Sequence, residues 1–269
     1  MKKIVLSLLA ASLLLACTNS NNDKKVAHVI TAENDTLTYR YDSVKVLSNN
    51  LVKPELNSYA DTANAVVKYP IFDNDELNNF VKQQVFDFFK EEDHPNAYED
   101  IASSFIRKYN QFYLENPGTA QWWYLLIDVK VVRQLHNYVA LKYINASYAG
   151  GAHGSTNITF INFNPKTSSL ITLDSLIRPD KKLALLRVAE EIFRKDENIS
   201  ATEPLKDRYF FTDGKFSLPA AFYVSNKGLT FLYNQYEIKP YASGITELTI
   251  PFAKLTDIAI PQTILTPTP

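Results

Sequence analysis

An α+β fold, mainly antiparallel sheet with helices packed on one face, is predicted by three features of the sequence. Strand-like and helix-like segments come in blocks rather than in strict alternation, which argues against a doubly wound parallel sheet. The strand-like segments alternate apolar and polar residues, as half-buried antiparallel strands do. Three further segments repeat apolar residues three and four apart, the period of an amphipathic helix.

The elements follow in order. Leu37, Tyr39 and Tyr41 alternate with Thr38, Arg40 and Asp42 before the phase shifts to Val44 and Val46, which predicts a first strand with a bulge near Ser43. Ala65 to Pro70 is a second extended segment. Asp73, Asn74, Asp75 and Glu76 suit the positive end of a helix dipole, so a helix is predicted to start there, with Leu77, Phe80, Val81, Val85, Phe88 and Phe89 on one face. His94-Pro95 interrupts that pattern. A second helix carries Ile101, Phe105, Tyr109 and Phe112 and ends before the turn signal Asn116-Pro117-Gly118.

Trp123, Leu125, Ile127, Val129 and Val131 share one face of a long strand, and Val139, Leu141 and Tyr143 share a face of its hairpin partner across Gln134 to Asn137. Trp123 reads as a buried anchor, and Trp122, on the other face, as either covered or an exposed platform for a sugar or partner. Thr156, Ile158 and Phe160 resume a strand. Asp180 to Arg194 reads as a helix with Leu186, Ala189, Ile192 and Phe193 inward. Phe222 and Val224, the turn Asn226-Lys227-Gly228, and Leu229, Phe231 and Tyr233 predict a last hairpin. Thr246 to Ile250 is a further strand, followed by a proline-spaced tail.

Composition bounds the function. The 269 residues are 46% hydrophobic and 21% charged, which excludes a disordered chain and a polytopic membrane protein and leaves room for one or two domains. Against 29 acidic residues stand 28 basic ones, with no run able to neutralise a series of phosphates, so nucleic acid is not expected as a partner. Met1-Lys2-Lys3 and the short apolar run Ile4 to Ala16 have the shape of an export signal rather than a bilayer-spanning helix. The run ends in Leu14-Leu15-Ala16-Cys17, which resembles a bacterial lipobox. Cys17 is the sole cysteine, so an intramolecular disulfide is impossible and lipidation is its expected use. The polar stretch from Thr18 to Lys25 then reads as a tether. The expected organisation is a signal peptide over 1–16, a lipidated tether over 17–25, an N-terminal α+β domain over 26–133, a C-terminal α+β domain over 134–260 and a tail over 261–269. That places the protein in the bacterial envelope, anchored by lipid and facing the periplasm or the exterior.

Two segments stand out as candidate sites. Only seven glycines occur in the chain, yet Gly150, Gly151 and Gly154 fall within Tyr148-Ala149-Gly150-Gly151-Ala152-His153-Gly154. One reading is a tight strand connection with His153 bonding to the turn; the other is a small nest of backbone N–H groups beside an imidazole, able to hold an anion or a sugar hydroxyl. The segment is neither a P-loop nor a dinucleotide fingerprint. The second segment, Tyr233 to Gly244, places Tyr236 and Tyr241 around Pro240, an aromatic loop suited to a protein or glycan, or to packing on the sheet. No zinc-protease motif, nucleophile elbow or close histidine pair is present among His28, His94, His136 and His153, so no catalytic residue, metal or cofactor is assigned.

Tyr148 to Gly154, Phe163-Asn164, Leu173-Asp174-Ser175-Leu176, Gly228-Leu229-Thr230-Phe231, Tyr236 to Gly244 and Ile250-Pro251-Phe252 together resemble the domain of unknown function 3298, across Val139 to Leu255. Val26 to Arg133 resembles the domain of unknown function 4163. The first resemblance is to an RsiV-like C-terminal domain, a group that includes the lysozyme-sensing part of an anti-sigma factor and a non-catalytic part of peptidoglycan deacetylases. It implies recognition of a protein or glycan on the envelope side. The sequence lacks the Asp/His metal motifs of a deacetylase domain. A wall-acting hydrolase using His153 as acid or base, and a purely structural envelope protein, are the alternatives.

Overall fold

The computed structural model describes residues 36–52, 61–89 and 94–266. The predicted signal peptide, Cys17 and the tether lie outside the described residues. Strands β1 (Tyr39–Val52) and β2 (Asp61–Phe72) form a long antiparallel pair. Helices α1 (Asp75–Phe89) and α2 (Tyr98–Glu115) follow, then β3 (Tyr124–Leu135), β4 (Tyr138–Tyr148), β5 (Ser155–Asn164) and the short β6 (Ser169–Leu170). A short helix α3 (Leu173–Leu176) and the longer α4 (Lys182–Asp196) lead to β7 (Phe222–Val224), β8 (Gly228–Tyr233) and β9 (Thr246–Pro251).

The first six strands make one sheet in sequence order, and β7-β8-β9 make a second, smaller one. Every neighbouring pair is antiparallel except β2 and β3, which run parallel from Asn64 beside Tyr124 to Lys68 beside Asp128. A parallel pair needs a crossover, and α1 and α2 supply it. The mixed α+β class with a mainly antiparallel sheet is therefore as predicted. Helices α1 and α2 lie on one face of the large sheet, whereas α4 packs with the small one.

Two hydrophobic cores meet at β4. Its Val139, Leu141 and Tyr143 join Ala65, Val67, Leu77, Val81 and Tyr109 under the helices, whereas Tyr138 and Ala140, one residue out of phase, join Phe193, Phe231 and Ile250 on the opposite side. Alternation along one strand thus serves two layers. Trp123 packs against Phe105, Tyr109 and Phe112 of α2 as the predicted anchor, and Trp122 is also partly covered by this core. Residues 133 and 134 sit within the β3–β4 ladder, in the pairs Arg133–Ala140 and Gln134–Val139. The sheet therefore runs through the position that divides 26–133 from 134–260.

The bulge expected near Ser43 is elsewhere. Register is continuous from Tyr39–Phe72 to Leu47–Asn64 and shifts only before Leu51–Thr62. At that point the Ser48 hydroxyl donates to Asn110 Oδ1 at 2.6 Å and accepts the Asn50 N–H at 3.0 Å, so side chains replace ladder bonds. Tyr39, Val44 and Val46 all lie against the core under the helices, so the apolar phase changes along β1 without a register shift, and Tyr41 Oη accepts the Val131 N–H at 3.0 Å. Among the described residues, no helix is long and apolar enough to cross a membrane.

Candidate functional site

The two segments singled out by sequence come together at one end of the molecule. The β4–β5 connection turns through Gly150 and Gly151, both at φ +96°, a region that a residue with a Cβ enters only at a cost. Tyr148 Oη donates to the Gly151 carbonyl at 3.0 Å and closes the turn. Gly154 serves a different need: a Cβ there would lie 2.6 Å from Tyr124 Oη and 2.9 Å from the Ser147 carbonyl. The chain can therefore lie against β3 and β4 only without a side chain at 154, and this sets the direction in which His153 leaves the turn.

The second segment is held at three points. The Asn234 carboxamide accepts the Ile158 N–H at 2.7 Å and donates to the Ile158 carbonyl at 3.0 Å, so it pairs with the free edge of β5 as a strand would. Ile238 is buried in the second core, and its carbonyl accepts the Phe210 N–H at 3.0 Å. Lys239 Nζ lies 2.8 Å from Glu197 Oε1 just beyond α4, while Tyr209 Oη donates to the other carboxylate oxygen at 2.7 Å. Burial alone would raise the Glu197 carboxyl, but the hydrogen bonds from Lys239 and Tyr209 overcome it and hold the group below its ordinary range. Burial and this carboxylate both push the Tyr209 phenol up. Pro240 then starts a single 3₁₀ turn, Tyr241–Ser243, which ends at Gly244 with φ +69°.

Between these supports the His153 ring stacks on Tyr241, with centroids 3.9 Å apart and planes 15° apart. His153 Nδ1 is 2.9 Å from the Gly154 carbonyl and Nε2 is 3.1 Å from Tyr236 Oη. A carbonyl only accepts, so Nδ1 carries a proton and Nε2 faces the Tyr236 hydroxyl. Both ring nitrogens are used. Tyr236 is held at φ +65°, unfavourable for an aromatic residue, and the residue is 56% exposed. Beside the three rings is a shallow recess of about 70 Å³, also lined by Thr156 and Gln235.

Of the residues predicted as a site, His153, Gly154, Tyr236 and Tyr241 are brought together. Tyr148, Gly150 and Gly151 build the turn behind them, and Pro240 sets the exposed corner of the loop. Asn234, Glu197 and Lys239, which position the loop, were not anticipated; no periodicity marks an amide that completes a sheet edge or an ion pair formed across 42 positions. No three His, Cys, Asp or Glu side chains gather to hold a metal among the described residues.

This α+β arrangement of a helix-covered sheet and a smaller antiparallel sheet has family counterparts. The family described as "Protein of unknown function (DUF3298)" matches residues 174–253, and the family described as "Deacetylase PdaC" matches residues 56–156. The two matched stretches do not overlap; one takes in β2 to β4 of the large sheet and the other α4 and the whole small sheet. His153 falls in the stretch matched by the PdaC family, whereas Tyr236 and Tyr241 fall in the stretch matched by DUF3298. The peptidoglycan-N-acetylmuramic acid deacetylase PdaC of Bacillus subtilis is 24% identical over 211 residues, covering 76% of this chain. The chain spans 40% of that enzyme's length. Crystal structures of DUF3298 family proteins from Bacteroides fragilis and Pseudomonas aeruginosa share the fold, with TM-scores of 0.64 and 0.60. They are 22% and 20% identical, cover 86% and 85% of this chain, and are each themselves 97% covered.

Proposed function

We propose that this protein is a lipid-anchored, non-enzymatic module of the bacterial cell envelope that binds a muramidase-like protein or a cell-wall glycan through the His153–Tyr236–Tyr241 surface. The observation that carries this reading is the convergence of two segments 83 residues apart on one exposed aromatic cluster. Rigid tyrosine rings offer contact area at low entropic cost. The recess of about 70 Å³ is well below the roughly 300 Å³ at which small-molecule sites begin, which favours a contact surface over a substrate pocket. The resemblance to the RsiV-like domain points to a lysozyme-type partner, and the match to a deacetylase of peptidoglycan points to the wall.

A hydrolase is the weaker reading, because the recess beside His153 is lined by Gly154, Ser155, Thr156, Gln235, Tyr236 and Tyr241, with no carboxylate to work with the imidazole. The envelope address rests on Leu14-Leu15-Ala16-Cys17 and the tether that follows. Labelled palmitate is expected to enter the wild type and not a Cys17→Ser variant; equal labelling would remove the anchor. For the binding claim, the chain is titrated calorimetrically with lysozyme and, separately, with soluble wall fragments. Saturable heat with either identifies the partner class. No binding to either, with product release from wall material that His153→Ala abolishes, would replace this reading with the hydrolase.

A further inference from the structure

The face of the large sheet turned away from α1 and α2 is only half covered. The small sheet packs over β5, where Phe160 stacks on Tyr223 at 4.5 Å and Ile158 meets Ala221 and Leu232. It also meets the end of β3, where the Arg133 guanidinium donates to the Val224 and Ser225 carbonyls; ahead of that contact the sheet splits. The parallel pairing of β2 with β3 stops at Lys68 and Asp128; beyond it β2 stays with β1 and β3 stays with β4. Tyr41 reaches from β1 to the Val131 N–H. The divergence leaves a cleft of about 330 Å³ lined by Tyr41, Asp42, Ser43, Lys68, Asp128 and Lys130. That volume lies within the range of small-ligand sites.

Its lining carries two carboxylates and two lysines, and of the lysines only Lys130 is paired. Asp128 is 5% exposed and pairs with Lys130 at 2.9 Å, while Asp42 at the rim pairs with Arg40 at 3.4 Å. Lys130 in turn stands directly opposite Lys142 in the β3–β4 ladder, where like charges destabilise. Among the described residues, Lys45, Lys68 and Lys142 form no ion pair. An anion would pair with Lys68, which lines the cleft beside Asp128. A bare anion would leave unused the acceptor sites on the buried Asp128 carboxylate that Lys130 alone does not fill. Hydroxyl donors would use them, and the Tyr41 ring, 42% exposed, gives a flat wall for a sugar ring.

We propose that this cleft binds a carboxylate-bearing sugar unit, with Lys68 as the charge partner, Asp128 as the hydroxyl acceptor and Tyr41 as the wall. It is separate from the aromatic loop, so its success or failure does not depend on the loop's partner. The full chain is titrated with the dimer of galacturonic acid, with maltose as the neutral counterpart and with inorganic phosphate. Saturable binding of the acidic dimer is expected, with maltose and phosphate each at least roughly tenfold weaker. Lys68→Gln should weaken the dimer by roughly tenfold without moving the melting temperature, and Tyr241→Ala should leave it unchanged. Absence of binding, maltose or phosphate bound as tightly as the dimer, or an unaffected Lys68→Gln variant would each overturn the assignment.

Discussion

At the scale of single residues, the candidate site depends on two positions with opposite requirements. Gly154 has no room for a side chain, because Tyr124 Oη and the Ser147 carbonyl occupy the space a Cβ would need. Gly154→Ala is therefore expected to cost about 1–3 kcal/mol, read by denaturant unfolding, and to displace His153. A loss below about 0.5 kcal/mol would mean that the turn can give way. Tyr236 is the reverse case: a bulky residue kept in the left-handed region although Asn fits there better. Tyr236→Asn should leave stability equal or raise it by up to about 1 kcal/mol while weakening the partner complex. If stability and affinity fell together, the ring would be a packing element and not a contact residue.

At the scale of elements, the loop that carries Tyr236 and Tyr241 is positioned by bonds to β5 and to the end of α4. Replacing Asn234 by Leu removes both bonds to Ile158 and leaves a strand-edge N–H without its acceptor, at a cost of about 2 kcal/mol. Hydrogen exchange at the Ile158 amide should quicken at the same time. Glu197 adds a pH dependence of definite sign. Its folded value is depressed, so its contribution is present at neutral pH and is lost as pH falls from the ordinary glutamate value of about 4.3 through the lower folded one. Glu197→Gln should flatten the acid limb of the stability curve in that window. Parallel acid limbs would show that the Lys239 pair is not coupled to folding.

Much of this layer was legible in advance. Period-two alternation located β3 and β4, and the dense acidic start located α1, because burial on one face leaves its period in the sequence. The misplaced bulge and the cleft were not legible, for one reason. Both depend on which strand lies beside which, and the parallel β2–β3 pairing, with its later divergence, leaves no local pattern. The aromatic site was half legible. Glycine clustering marked one segment and tyrosines around a proline marked the other, but nothing in either indicates that they touch.

At the scale of the whole molecule, β4 holds two cores together, and Tyr138 is a buried polar link between the layers. Its hydroxyl donates to Asn162 Oδ1 at 2.6 Å and accepts the Val224 N–H at 2.7 Å, while Asn162 Nδ2 donates to the Phe222 carbonyl at 2.8 Å. Tyr138→Phe would leave the Val224 N–H unpaired in a buried place, at a cost of about 2–3 kcal/mol. A cost near zero would mean that the Tyr138 hydroxyl adds nothing to the packing and to the bonds from Asn162 and Arg133 that also join the small sheet to the large one. That fixation matters for the site, because His153 extends from the large sheet and Tyr241 from the small one. The contact surface exists only while the layers keep their register.

The central claim, that these two layers jointly present a contact surface for an envelope partner, is tested most directly by titrating lysozyme into the wild-type chain and into the Tyr241→Ala variant. Saturable binding to the wild type, weakened by about tenfold or more in a variant that melts within a few degrees of it, is the predicted result. Equal affinity of both proteins for lysozyme would contradict it.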